Sequence, residues 1–194
     1  MDAIRILRSR TVVIDRDNID TDQIIPARYL KVTKREGLGQ GLFANWRYLQ
    51  NGEPDPNFVL NRPETKGCQI LVAGNNIGCG SSREHAAWAL TDFGFRAVVS
   101  HVIADIFQNN ATKNGLIPVQ IDQETHQRLL AEPGIEMTID LEATEIELPD
   151  RSRRKFTIDP FARHCLMNGL DEMGYLLNHE AAICRFEQQR GHHE

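Results

Sequence analysis

Between residues 74 and 90 the chain reads GNNIGCGSSREHAAWAL. Glycines lead into two adjacent serines, an arginine, a glutamate and a histidine, and an alanine-rich helical pattern follows. The apolar run CQILVA at 68–73 reads as a buried strand in front of it. A strand, a tight turn and a helix in that order expose the helix's first amides, which have no intrahelical acceptor and carry the positive end of the dipole. Ser81 and Glu84 fit the S-x-x-E capping box. Arg83 falls in the expected first turn, where a cation is mildly unfavourable. A carboxylate or phosphate held jointly by Arg83 and the free amides resolves that conflict. The bland alternative is that the glycines only turn and the serines only cap.

Nucleotide and hydrolase templates do not fit this stretch. A Walker loop needs G-x-x-x-x-G-K-[ST], and no lysine follows these glycines. A dinucleotide fingerprint needs G-x-G-x-x-G; Gly78 and Gly80 match it, but Arg83 stands at the third position. Ser81 lacks the second glycine of a G-x-S-x-G elbow, and His85 at helical spacing does not build a triad. A small carboxylate is the anion that remains. Cys79 reads as a small residue filling the turn, with a thiol activated by the helix start as the alternative.

A second polar cluster, DNIDTDQIIP, occupies 17–26. Asp20, Thr21 and Asp22 are expected to bond nearby backbone amides and shape a structured loop, or to line a cleft beside Ser81. Elsewhere, His101 reads as a strand-end residue, and His126 and His179 as helix-surface residues.

The elements that position these groups alternate. TVVID (11–15), CQILVA (68–73), AVVSH (97–101) and LIPVQI (116–121) read as strands. Helices are expected over 42–50, from the serines to about Asp92 with Gly94 as cap, over 104–115 ended at Gly115, and over 122–132 with Asp122 as N-cap. This pattern predicts an α/β fold with a mainly parallel sheet flanked by helices. IEMTIDLEATEIEL (135–148) alternates with period two and predicts a β-hairpin, and KFTID (155–159) can add a strand. Residues 33–41, TKREGLGQG, read as a mobile loop. The region 161–190 reads as helical, broken at Gly169 and Gly174, with a last helix from about Leu176. One domain spans 1–194, with no internal repeat.

Composition narrows the function classes. A net charge of −5 argues against a phosphate-tracking nucleic-acid surface, and the basic run at 151–155 reads as a solvated turn. No apolar run approaches the roughly 20 residues of a membrane span, and no secretory h-region is visible. Cys68, Cys79, Cys165 and Cys184 form no C-x-x-C pair, so zinc or iron–sulfur spacing is missing from the sequence. Reduced thiols in a cytoplasm are the expectation.

Four stretches in order, DNIDTDQIIPARYLK, GNNIGCGSSREHAAWAL, ADIFQNNATKNGLIPV and GLDEMGYLL, resemble the small subunits of 3-isopropylmalate dehydratase in the aconitase superfamily, from about residue 4 to 189. The resemblance implies the swivelling β/β/α domain of the aconitase C-terminal type. It implies interconversion of 2- and 3-isopropylmalate by dehydration and rehydration in leucine biosynthesis, by a heterodimer with a large subunit. In that superfamily a [4Fe–4S] cluster acts as Lewis acid; its cysteines belong to the large subunit, so this chain is expected to bind no cofactor itself. By motif, Ser81 matches the base at carbon, Arg83 the binder of a dicarboxylate substrate's carboxylate, and Ser82 an added hydrogen bond. Residues 29–39 resemble the loop that discriminates the substrate's side group, where Leu30 and Val32 offer apolar contact and Lys31 is a secondary candidate. No arginine stands at the spacing of a further superfamily substrate arginine before DNID. Related specificities (citraconate/methylmalate, homoaconitate, aconitate) and a non-catalytic anion-binding module are the alternatives.

Overall fold

The computed structural model of the chain describes residues 1–31 and 34–190. The chain begins with strand β1 (Ile6–Ile14), passes through short helices α1 (Thr21–Ile24) and α2 (Ala44–Arg47), and enters β2 (Ile70–Ala73). Helix α3 (Glu84–Phe93), strand β3 (Ala97–Ser100), helix α4 (Asp105–Lys113) and strand β4 (Ile117–Gln120) follow in strict alternation. After α5 (Gln123–Ala131) come β5 (Glu136–Asp140), β6 (Glu145–Glu147) and β7 (Arg153–Lys155), then α6 (Pro160–Asn168), α7 (Glu172–Asn178) and α8 (Glu180–Arg190).

All seven strands form one sheet in the order β4-β3-β2-β1-β5-β6-β7. The β4-β3-β2-β1 half is parallel and the β1-β5-β6-β7 half antiparallel. β1 belongs to both halves and its sequence shows it. Residues 6–10 pair with β5 and alternate exposed and buried; residues 11–14 pair with β2 and are buried or half-buried throughout. One face of an antiparallel pair can meet water, whereas parallel strands are covered on both sides. The expected strand at 11–15 is therefore only the parallel part of a nine-residue strand; the arginines at 5, 8 and 10 disguise the rest.

The sheet separates two apolar layers. On β2, Leu71 and Ala73 face the layer containing Ile19, Ile24, Phe43, Leu90 and Phe107, while Ile70 and Val72 face the layer with Val119, Leu129, Ile139 and Leu166. That alternation is the period-two geometry of a strand buried on both faces. The hairpin forms as β5 and β6.

Several expectations are corrected. The basic run at 151–155 is not only a turn: Arg153–Lys155 is the exposed edge strand, with Arg153 Nη2 paired to Glu147 at 2.8 Å, and charge along an edge discourages further strand addition. The loop expected at 33–41 is folded in its second half. Residues 38–41 make a 3-10 turn with Leu38, Gly39 and Gly41 buried, and the Gly39 amide donates to Asp92 Oδ2 at 2.8 Å; Thr33 lies outside the described residues. Gly39 lies so close to α3 that a Cβ there would meet Phe93 N at 2.7 Å, which explains a glycine without implying freedom. The helix expected over 42–50 shrinks to four residues. Phe43 adopts left-handed φ (48°) to bury its ring against Trp46, and Tyr48 is extended. Gly174 is no break: it lies inside α7 and its amide donates to the N-cap carboxylate of Asp171 at 2.7 Å. Gly169 does end α6 in the left-handed conformation. α8 begins at Glu180 rather than Leu176.

Asp122 caps α5 as expected, accepting from the Thr125 amide at 2.8 Å. Those bonds hold its carboxyl below the usual carboxylate range. A carboxylate whose folded pKa is depressed stabilises the fold above its unfolded pKa of about 3.9, and that contribution is lost as pH falls through the folded value. Asp122→Ala is expected to cost about 1 kcal/mol at pH 7. In urea titrations repeated from pH 7 to pH 3, the gap between the variant and the parent chain narrows as pH falls; a gap that widens contradicts the assignment.

Candidate functional site

The three loops that follow β1, β2 and β3 leave the same edge of the parallel half-sheet. Ligands of open α/β sheets bind at this edge, outside the carboxyl ends of the strands. Backbone bonds continue the parallel order past the strand ends. Asn18 N donates to Asn75 O (2.7 Å), Gly78 N to Ile19 O (2.7 Å) and Thr21 N to Cys79 O (3.0 Å). On the other side Asn76 N donates to Val102 O (2.8 Å) and Ala104 N to Ile77 O (3.0 Å). The Ser100 hydroxyl closes the join by donating to Gly74 O at 2.8 Å.

This zipper needs glycine at two places. A Cβ on Gly74 would stand 2.2 Å from Arg16 O. Gly78 has φ of 78°, and a Cβ there would meet the Phe107 ring at 2.2 Å. His126, expected on a helix surface, is instead buried below the turn. Its Nε2 lies 2.7 Å from Ala73 O, and since a carbonyl only accepts, Nε2 carries the proton. A histidine there satisfies the last carbonyl of β2 from the opposite layer. His101 holds its expected place, with Nδ1 2.9 Å from Ile121 O.

The serine segment is not a helix start of the expected kind. Ser81 lies two residues ahead of the N-cap, which is Arg83 in extended conformation, and no side chain caps α3. The reason is local. Gly80 turns the chain at φ 90°, and the buried Thr21 hydroxyl then pulls on Ser81 O at 2.8 Å, drawing Ser81–Ser82–Arg83 out of helical register. Glu84 does not reach back to close a capping box; its carboxylate accepts from Asn114 Nδ2 at 3.0 Å. The reciprocal box forms one loop away, where Asp20 Oδ1 accepts from Gln23 N (2.7 Å) and Gln23 Oε1 from Asp20 N (3.1 Å). The same four-residue spacing, D-x-x-Q, was legible there.

Ser81, Ser82 and Arg83 are thus brought together with Thr21 and Asp22. Arg83 is largely buried, its side chain 18% exposed, and its two terminal nitrogens pair with the two carboxylate oxygens of Asp22, Nη2 to Oδ2 at 2.7 Å and Nη1 to Oδ1 closer still. Ser82 Oγ accepts from Asn110 Nδ2 at 3.4 Å. The exposed Ser81 hydroxyl makes no hydrogen bond to the described residues. Its nearest charged neighbour in sequence is a guanidinium that already holds a carboxylate. Cys79 carries no sign of activation: burial and the charge of Asp20 push its thiol up.

The loop residues are placed differently. Leu30 is half-buried against the core and Lys31 is exposed; Val32 lies outside the described residues. The far side of that loop returns to α3, where the Arg35 guanidinium stacks on Trp88 at 5.2 Å. Among the described residues no group of three or more His, Cys, Asp or Glu is placed to hold a metal ion. The side chains that the sequence reading passed over are Asn110 and Asn114. Asparagine is a poor helix-interior residue, and Asn110 inside α4 carries that signal, whereas Asn114 is the C-cap of α4, where asparagine is ordinary.

A sheet that is parallel on one side of β1 and antiparallel on the other, with the glycine–serine turn after β2, defines the class. The family model described as the aconitase C-terminal domain matches residues 1–124, and a second, described as LeuD_N, matches 127–160. The 3-isopropylmalate dehydratase small subunit of Anaeromyxobacter dehalogenans (strain 2CP-C) is 61% identical over 98% of this chain and 100% of its own length. That of Roseiflexus sp. (strain RS-1) is 56% identical over 98% and 95%. The crystal structure of 3-isopropylmalate dehydratase (leuD) from Methanocaldococcus jannaschii superposes with a TM-score of 0.71 at 29% identity, covering 93% of this chain and 98% of that one. The chain belongs to the 3-isopropylmalate dehydratase small-subunit family, within the aconitase C-terminal fold.

The two glycines make distinguishable predictions. Gly78→Ala combines positive φ with a clash against a buried ring and is expected to destabilise by roughly 2–4 kcal/mol. Gly80→Ala has positive φ but its nearest neighbour is 3.5 Å away, so about 1 kcal/mol is expected. Equal losses in chemical denaturation contradict the packing account.

Proposed function

We propose that the chain is the small subunit of a cytoplasmic hydro-lyase that interconverts 2-isopropylmalate and 3-isopropylmalate in leucine biosynthesis, active only as a heterodimer with a large subunit. The observation that carries this is a reactive turn built on one chain and left open. Ser81 is held through its carbonyl by Thr21 and Arg83 through its guanidinium by Asp22, yet the Ser81 hydroxyl makes no hydrogen bond to the described residues. Full-length identity to proteins named as small subunits supports the reading. On this reading the [4Fe–4S] cluster belongs to the large subunit, as the resemblance to the aconitase superfamily implies and the small-subunit names of the relatives support.

On this reading Ser81 accepts the proton at the substrate carbon. An ordinary hydroxyl is too weak an acid to be ionised at neutral pH, so the site must favour the alkoxide. The uncapped amides at the start of α3 and the dipole behind them supply positive potential at fixed positions. Arg83 adds less than its formal charge because Asp22 offsets it. Its role is the substrate carboxylate. Asp22 occupies the edge formed by the two terminal nitrogens; the edge carrying Nε–H remains available for a second bidentate contact. Ser82, whose Oγ lies 3.4 Å from Asn110 Nδ2, adds a hydrogen bond to substrate. Asp20 and Thr21 line the cleft beside them through the loop they organise. Leu30, Lys31 and Val32 form the start of the loop that meets the substrate's side group.

Ser81→Ala, reconstituted anaerobically with the large subunit, is expected to lower kcat roughly 100- to 10,000-fold, the range of a general base, with complex formation unchanged. Near-normal turnover rejects the base assignment. Exchanging residues 29–39 for those of a relative acting on a different side group is expected to shift relative kcat/KM toward that relative's substrate by about tenfold, equivalent to about 1.4 kcal/mol. An unchanged preference removes this loop from specificity.

A further inference from the structure

The serine turn is anchored from two sides, and only one is the Asp20–Asp22 loop. The other is the carboxyl end of α4. Asn114 is 6% exposed, and its amide side chain makes three hydrogen bonds to two different elements. Its Nδ2 donates to Glu84 Oε1 at 3.0 Å and to Asn110 O at 2.7 Å, while its Oδ1 accepts from Trp88 Nε1 at 2.8 Å. Both Nδ2 hydrogens and one lone pair of Oδ1 are used, and two of the three partners belong to α3. Glu84 is the first residue of α3, directly after Arg83. Asn110 lies one turn before Asn114 on α4 and reaches Ser82. Trp88 carries the stacked guanidinium of Arg35.

We infer that Asn114 is a positioning residue: by tying Glu84 and Trp88 of α3 to α4, it sets the direction in which Ser81, Ser82 and Arg83 leave the helix. The argument is geometric. Residues 81–83 lie outside regular structure, and their placement is fixed by Thr21 and Asp22 upstream and by the start of α3 downstream. Ser82 is itself tied to α4 only through a 3.4 Å contact, too long to set geometry alone. The Glu84–Asn114 and Asn114–Asn110 bonds are short enough to do so. This inference rests on the reading of residues 81–83 as the reactive turn.

The test is a donor–acceptor exchange in the reconstituted two-subunit enzyme, with kcat and melting temperature measured on each variant. Asn114→Asp keeps the acceptor for Trp88 but sets a carboxylate against Glu84, and kcat is expected to fall at least tenfold. Glu84→Gln alone retains an acceptor for Asn114 and should stay within about twofold of the parent. Combined, Glu84→Gln with Asn114→Asp lets the new amide donate to the new carboxylate while the bond to Asn110 O stays lost, so kcat should rise at least threefold above that of Asn114→Asp without reaching the parent. Should Asn114→Asp fail to fold, Glu84→Ala removes the same bond from the solvent side and should lower kcat about fivefold. Unchanged kcat in Asn114→Asp or in Glu84→Ala overturns the inference. So does a melting temperature that recovers in the double variant without recovery of kcat, since that is what a purely structural bond produces. Failure of the underlying reading shows separately, as near-normal turnover of Ser81→Ala.

Discussion

The close approach of the turn after β2 to the loop after β1 is the constraint on which the site depends. Parallel strands end at one edge, and their loops normally diverge there. Here the glycine turn instead runs alongside residues 16–21 for several further residues, exchanging backbone hydrogen bonds as if the strands had continued. That contact requires a bare backbone at Gly74 and left-handed backbone at Gly78, beneath which the Phe107 ring fills the space a side chain would need. Each buried amide and carbonyl in these loops must find a partner. Mutual pairing satisfies them without a helix or strand and holds the two loops close enough for Thr21 to reach the Ser81 carbonyl and Asp22 to pair with Arg83.

The two halves of the sheet divide the work. The parallel half is apolar on both faces, so its strands are fixed by burial and cannot slip by one residue without placing core residues in the wrong layer. It supplies the rigid edge. The antiparallel half ends in a short, charged edge strand and carries none of the site. β1 lies at the junction, held on one side by β2 and on the other by β5, so the loop bearing Asp20, Thr21 and Asp22 emerges from a strand that belongs to both halves of the sheet.

What could be read in the sequence follows from which signals are local. The strand–glycine turn–helix order, the Asp122 cap and the period-two hairpin are decided by nearby residues, and all are present. The Ser81–Glu84 capping box also fits its template and yet does not form, because Thr21, sixty residues away, competes for the backbone of Ser81. His126 looks like a surface residue by its polar neighbours; only the position of α5 under β2 shows that a buried carbonyl needs it. The 38–41 segment looks mobile for its glycines, whereas Gly39 is a glycine because α3 lies against it. In each case the misleading feature is a residue whose reason lies across the fold rather than along the chain.

The pairing of Arg83 with Asp22 has an energetic logic that bears on why the arginine is not free. A guanidinium that is four-fifths buried without a counter-charge costs several kcal/mol. Asp22 removes it, and does so from a position more than half exposed, where its own desolvation is small. The bidentate geometry also freezes the guanidinium plane, so the rotamer entropy of a long side chain is lost on folding rather than on binding. What remains is an oriented Nε–H edge on a nearly neutral ion pair. Such an edge matches the planar, two-oxygen shape of a carboxylate, which is the geometry that the proposed role of Arg83 asks of it.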